Sequence, residues 1–303
     1  MTGMLRGLLA AFVSVVLIGL GVAHADNRLF PDSKMVAGDR ISVEVVGKGH
    51  DLIFIPGLAS SRDTWKATAE RLKSRYRLHL VQVAGFAGEP PGANKDGAVV
   101  VPVAEAIDAY IVSHKLAPAT LIGHSLGGTM SLYLAEHHPE HLRKVLLVDA
   151  LPLYAAVLLR GADPPAEQRH AIAARISQSM ASISEADYAK SLDPQLASYA
   201  TGPADKERIK AWTLSSDRSV VARSIGEDFD LDLRPGLTDI KVPITLLYPD
   251  YKSQSPTPVD ARYRGAYAPA KSMTIKRIDQ SMHFIMFDQP EAFGKALDEF
   301  LRH

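Results

Sequence analysis

Ser125 lies between two glycines in the stretch LIGHSLGG, Leu121 to Gly128. A serine hydroxyl is a poor nucleophile. To react it needs a bend that exposes it and a base that takes its proton. The G-x-S-x-G spacing suits such a bend: a strand runs up to the serine, a helix leaves from it, and side chains at Gly123 and Gly127 would collide with neighbouring strand and helix. The bend also aims the backbone N–H of Leu126 at whatever the serine attacks. The helix starting there adds the partial positive charge of its N-terminus. Three fixed positions in five are a weak signal alone. Their context strengthens it, because ATLIGHS before them reads as a buried strand and LGGTMSLYLAEHH after them is helical in spacing.

The base must be a histidine, and the chain has eleven. His283 is the best placed, since it follows the last predicted strand and precedes the last predicted helix. A carboxylate must then hold the imidazole tautomer and stabilise the imidazolium. Asp250, the nearest carboxylate after the strand Ile244–Tyr248, is the first candidate for that acid. Asp149, at the end of the strand Val145–Val148, is the alternative acid. Asp260 reads as a helix start, and Asp288 as lying where the last helix begins. His124 flanks the bend, and His79 falls in a strand. His137, His138 and His141 sit at a helix end, where histidine suits the negative end of the dipole; no metal site is expected there.

These residues need a scaffold. Short apolar runs at Leu52–Ile55, Leu78–Val83, Thr120–Ile122, Val145–Val148, Ile244–Tyr248 and Met273–Ile278 alternate with helical patterns at Arg62–Ser74, Val99–Lys115, Leu126–His138 and Pro290–Leu301. Most runs are continuously apolar, as in strands covered on both faces. The pattern predicts an α/β fold, a mostly parallel central sheet with helices on both faces. Ile41–Val46 alternates and predicts an antiparallel edge strand. The core is expected over residues 26–150 and 236–303. Residues 151–235 lack a convincing strand and read as an inserted helical lid, with helices near Pro164–Ser182, Glu185–Ser191, Pro203–Ser215 and Arg218–Asp228. The insertion leaves and re-enters at strand ends, where ligands bind in open α/β sheets. Its run LPLYAAVLL suggests an apolar pocket, hence a small ester-like substrate with an apolar acyl or alcohol part. Tyr248, Tyr251, Tyr263 and Tyr267 fit either the opposite wall or the support of the long Pro-rich loop.

Several stretches together resemble the α/β-hydrolase superfamily, over nearly the whole chain after residue 25. LIFIPGLASSRDTW (Leu52–Trp65) is similar to its first strand and oxyanion loop, and VQVAGFAGEPPGAN (Val81–Asn94) to its next strand and Gly-rich loop. GHSLGG matches its nucleophile elbow, HPEHLRKVLLVDALP (His138–Pro152) the following helix end and strand, and SMHFIMFDQPEAF (Ser281–Phe293) its terminal histidine loop and last helix. The resemblance implies a Ser–acid–His hydrolase with a two-amide oxyanion hole, the N–H groups of Leu126 and of Leu58. The chain departs from the family in two places. Pro56 replaces the usual histidine before Gly57. Pro249 stands where glycine is common, so that the usual aspartate position falls on Lys252. Some members take their acid from the strand that here ends at Asp149. The activity implied is that of a carboxylesterase with an acyl-enzyme intermediate, needing no metal or organic cofactor. A peptidase or lactonase with the same triad, or a binding protein that keeps the fold without turnover, are the alternatives. The dehalogenase and epoxide-hydrolase branches use an aspartate at the elbow, so Ser125 argues against both.

Composition narrows the remaining classes. The chain has 303 residues, a formal net charge of zero and no cysteine. Disulfides, cysteine–zinc sites and thiol catalysis are thereby excluded, and nothing suggests a nucleic-acid partner. Met1–Arg6 carries one basic residue, Gly7–Val22 is apolar, and Ala23-His24-Ala25 has small residues at both recognition positions of a cleavage site. Residues 1–25 are therefore expected to be a secretory signal peptide, cut before Asp26. The product is expected to be exported, periplasmic or secreted, without stable membrane insertion after cleavage.

Overall fold

The computed structural model describes residues 28–159, 162–252 and 257–302. The signal peptide expected over residues 1–25 lies outside the described residues. Eight strands carry the fold: β1 (Lys34–Ala37), β2 (Ile41–Gly47), β3 (His50–Ile55), β4 (Tyr76–Val83), β5 (Ala119–His124), β6 (Leu142–Val148), β7 (Ile244–Pro249) and β8 (Met273–Ile278). They form one sheet in the order β1-β2-β4-β3-β5-β6-β7-β8. The β1–β2 and β2–β4 pairs are antiparallel, and every pair from β4 to β8 is parallel. The helices are α1 (Lys66–Leu72), α2 (Val100–Ser113), α3 (Leu126–His137), α4 (Ala155–Leu158), α5 (Ala166–Ser182), α6 (Glu185–Tyr199), α7 (Pro203–Ser215), α8 (Arg218–Asp230), α9 (Thr257–Ala266), α10 (Ile285–Asp288) and α11 (Pro290–Arg302).

Side chains on a strand alternate between faces, and both faces of this sheet are covered. Ile53, Ile55, Val81, Val83, Leu121, Val145 and Leu147 pack on one side with residues of α2 and α3. Leu52, Phe54, Leu78, Leu80, Ile122, Leu146 and Val148 pack on the other with α1 and α11. That double burial is why these strands read as unbroken apolar runs. Helix α11 buries Phe293, Ala296, Leu297 and Phe300, one stripe at three- and four-residue spacing. The edge strand β8 differs from the sequence expectation: five of its six residues are only partly buried or exposed, because nothing pairs beyond it.

The start of the described chain is tied to the sheet. Glu44 on β2 is fully buried and accepts from the backbone N–H of Leu29 and Phe30, each at 2.9 Å, and from the Ser33 hydroxyl at 2.6 Å. Phe30 packs beneath, 2 % exposed.

Between β6 and β7 the chain leaves the sheet and forms the helical insert. Its last helix, α8, is pinned to the core. The carboxylate of Glu227 accepts from Val99 N and Val100 N, at 2.9 and 2.7 Å, at the start of α2. Val99 gives that helix no side-chain cap, so the insert supplies one. Helix α6 runs through Pro194 to Tyr199 rather than ending at Ser191 as its sequence suggests.

Candidate active site

The order β4-β3-β5 reverses the direction of strand progression, and open α/β sheets bind ligands at the carboxyl ends of strands beside such a switch. A cavity of about 1000 Å3 lies there, walled by the insert and lined among others by Gly57, Leu58, Ser125, Asp149 and His283.

Ser125 takes φ 52° and ψ −124° between β5 and α3. A non-glycine residue with positive φ is strained, and such strain persists only where the surroundings enforce it. They do so here through the two flanking glycines. A Cβ on Gly123 would overlap the carbonyl oxygen of Gly127, and a Cβ on Gly127 would overlap the carbonyl oxygens of Ile55 and Pro56. Gly57 approaches the serine itself: a Cβ there would lie 3.1 Å from that of Ser125. The loop after β3 therefore passes directly beside the hydroxyl-bearing carbon. Gln82 braces this loop, accepting from Arg62 N at 2.8 Å and donating to Ser60 O at 3.2 Å.

His283 follows β8. Its Nδ1 lies 2.6 Å from Oδ2 of Asp149. Asp250, the first-choice acid from the sequence, is not on the imidazole. Its Oδ1 instead accepts from Lys252 N at 2.9 Å and from Ser281 N at 3.2 Å. The reason lies in the loop after β7, where Tyr251 and Lys252 both adopt positive φ and fold the chain back over the Asp250 carboxylate. Asp149 has φ 49° and turns into the cavity wall from the neighbouring strand end. Burial would raise its pKa, but the charge of His283 and hydrogen bonds from His283, Tyr263 and Tyr251 outweigh burial and hold the carboxyl below its ordinary value. The Tyr251 hydroxyl donates to it at 2.8 Å, and the Tyr263 hydroxyl donates to its other oxygen. Of the four tyrosines left open by the sequence, these two hold the Asp149 carboxylate. Tyr267 donates to Ala150 O, and Tyr248 donates to Asp260.

The loop carrying His283 is joined to the insert. His283 N donates to Ser198 O at 3.1 Å and Phe284 N to Tyr199 O at 2.8 Å, both at the end of α6. Asp288 accepts from Thr201 N and from the Thr201 hydroxyl with one oxygen, and from Met282 N with the other, each at 2.7 Å. His124 lies beneath, fully buried, with Nε2 3.1 Å from His283 O. Burial, then the charge of His283, pushes its pKa down to about 3, so it stays neutral and donates that proton. Away from the cavity lining, His138 and His141 pair with Glu105 and Asp108 at 3.0 and 2.7 Å, and Asp108, His138 and His141 offer donor atoms within 4.8 Å of one another.

One cavity residue escaped the sequence reading. Asp228, 8 % exposed, lines the cavity from α8. The signal was present: Val221, Ile225 and Asp228 share one face of the helix at four- and three-residue spacing, and the stripe ends in an acid. Taking Asp228 as the end of the helix hid it, whereas α8 continues to Asp230.

A strand order of this kind, with a strained serine at the β5–α3 bend and a histidine after the last strand, defines a hydrolase fold. The chain belongs to the α/β hydrolase fold family, whose sequence model matches residues 52–248. It is 27% identical to a pimeloyl-[acyl-carrier protein] methyl ester esterase of Vibrio cholerae, over 85% of this chain and 96% of that protein. It is 24% identical to an N-formylmaleamate deformylase of Pseudomonas putida, over 89% of this chain and 98% of that one. Among solved structures it is similar to an esterase from Exiguobacterium antarcticum, with a TM-score of 0.71, 20% identity and coverage of 89% of this chain and 98% of that one.

Proposed function

We propose that this chain is a serine esterase in which Ser125 is the nucleophile, His283 the general base and Asp149 the acid that orients it. The single observation that carries the reading is the 2.6 Å contact of His283 Nδ1 with a buried carboxylate, in the same cavity that a strained serine lines. With Nδ1–H donated to Asp149, Nε2 is left bare to accept the serine proton. Ser125 Oγ then attacks the ester carbonyl carbon. The negative charge that develops on the carbonyl oxygen is met by the N–H groups of Leu58 and Leu126. Collapse expels the alcohol, which takes the proton from Nε2. A water repeats the sequence on the acyl-enzyme, releasing the acid and restoring Ser125. The methyl ester esterases among its relatives support small-alcohol esters as first substrates, and the deformylase supports including a formamide. The binding-protein alternative loses one of its two grounds, since the histidine does have a carboxylate.

The reading extends to location: residues 1–25 act as an export signal, and the working enzyme begins at Asp26. N-terminal sequencing of the product recovered from a bacterial periplasm should start there; an intact Met1 in the cytoplasm counts against it. For the chemistry, a fluorophosphonate probe should label the wild type and not Ser125→Ala, and methyl and p-nitrophenyl esters should be hydrolysed only by protein that labels. A folded wild type that neither labels nor turns over any ester or formamide would leave a binding protein as the better reading.

A further inference from the structure

Asp228 is costly where it stands. It sits on a lid helix, in the wall of the cavity that Ser125 and His283 also line. Its residue is 8 % exposed; Thr129 lies within hydrogen-bonding reach of the carboxyl, but Oδ1 has no hydrogen-bond partner among the described residues. Buried polar atoms are almost always paired, and an orphan calls for an explanation. Packing offers none, because the other cavity-facing residues of this helix, Val221 and Ile225, are apolar, and an apolar residue would complete the stripe. The helix backbone that carries it is held in place, since the adjacent Glu227 clamps α8 to the first turn of α2. Its neighbour on the sheet side is Thr129, one helical turn beyond Ser125, whose N–H donates to Ser125 O at 3.0 Å. One turn of helix is about 5.4 Å, so an acid beside Thr129 reaches substrate atoms a few bonds from the reacting carbonyl.

We propose that Asp228 and Thr129 form a polar subsite that takes a hydrogen-bond-donating group of the substrate, a hydroxyl on the acyl chain near the ester, with Asp228 Oδ1 as acceptor. The inference rests on the esterase reading and deepens it, from apolar esters in general to hydroxylated acyl esters. The orphaned oxygen is satisfied when such a substrate binds, and stays unpaired against a plain acyl chain. A site built to pair a polar substrate group discriminates against the analogue that lacks it.

The experiment compares methyl hexanoate, methyl 3-hydroxyhexanoate and methyl 6-hydroxyhexanoate by pH-stat, with fluorophosphonate labelling of every variant as the control on Ser125. The wild type should favour the 3-hydroxy ester over the plain ester by about tenfold in kcat/KM, mainly through KM. Asp228→Leu should reverse the preference by raising KM for the hydroxy ester and lowering it for the plain one. Asp228→Asn, nearly the same shape and a safeguard against misfolding, should keep part of the preference because its amide oxygen still accepts. If the wild type labels and hydrolyses the three esters without preference, or if both variants slow all three equally, the subsite does not exist and the esterase reading stands. If the folded wild type does not label at all, that reading fails and this one falls with it.

Discussion

At the residue scale, Asp149 and Asp250 end neighbouring strands, and one substitution in each separates their roles. Asp149→Asn removes the charge that stabilises the imidazolium and should lower kcat on methyl esters by about 10³- to 10⁴-fold. Asp250→Asn keeps an oxygen to accept the Lys252 and Ser281 amides and should stay within about tenfold of wild type. The reverse ranking would return the acid to Asp250. Asp228 has a second signature, in stability. Burial pushes its carboxyl up to about 7, against the lowering effects of Thr129 and His283. Between pH 4 and pH 7 the unfolded chain has released this proton while the folded one retains it, so folding stability falls as pH rises across that window and stays lower above it. The penalty is up to about 4 kcal/mol. Asp228→Asn should therefore melt several degrees above wild type at pH 8 and close to it at pH 4, by calorimetry at the two values. An equal difference at both would show that the carboxyl is ordinary. A residue kept at such a cost is expected to serve binding rather than folding.

At the element scale, the insert is tied to the core by hydrogen bonds from α8 and from the end of α6. Glu227→Ala leaves the first N–H groups of α2 without a partner and removes one tie of α8 to the core, the bonds from Arg223 remaining. A lost cap costs about 1–2 kcal/mol, so Tm should drop by about 2–6 °C, while Glu227→Gln, which keeps one acceptor oxygen, should lose less. An unchanged Tm in Glu227→Ala would mean that water caps α2 equally well. Most elements were legible in the sequence because periodicity reports burial. The two-face coverage of β3 to β7 gave continuous apolar runs, and α11 gave a clean stripe. What was not legible depended on partners distant in the chain. Short β1 carries too few residues for a pattern, and α6 passes through a proline that ends many helices. The serine bend was readable because its glycines are a local necessity. Which carboxylate reaches His283 was not, because it turns on how the loop after β7 folds back and on two tyrosine hydroxyls brought in from Tyr251 and Tyr263. Asp228 was hidden by a helix boundary two residues off.

At the scale of the whole molecule, the anchor at Leu29 and Phe30 lies close to where the export signal is expected to end. Glu44 depends on the amides of Leu29 and Phe30, so a chain starting at Asp26 keeps this anchor and one starting at Asp32 loses it. The shorter chain leaves the fully buried Glu44 carboxylate with the Ser33 hydroxyl but without its two backbone donors, and removes a buried phenyl ring, itself worth about 1.5–3 kcal/mol. Denaturant titration should place it at least about 3 kcal/mol below the chain that begins at Asp26. Equal midpoints would show the anchor to be dispensable.

The bonds from Ser198, Tyr199 and Thr201 to the segment around His283 have a consequence for how a substrate gets in. Under the proposed triad, an outward swing of the end of α6 would pull on the backbone that carries the imidazole and so strain its contact with Asp149. Hydrogen exchange should accordingly report the His283 and Phe284 amides opening in step with the end of α6, as a single latch.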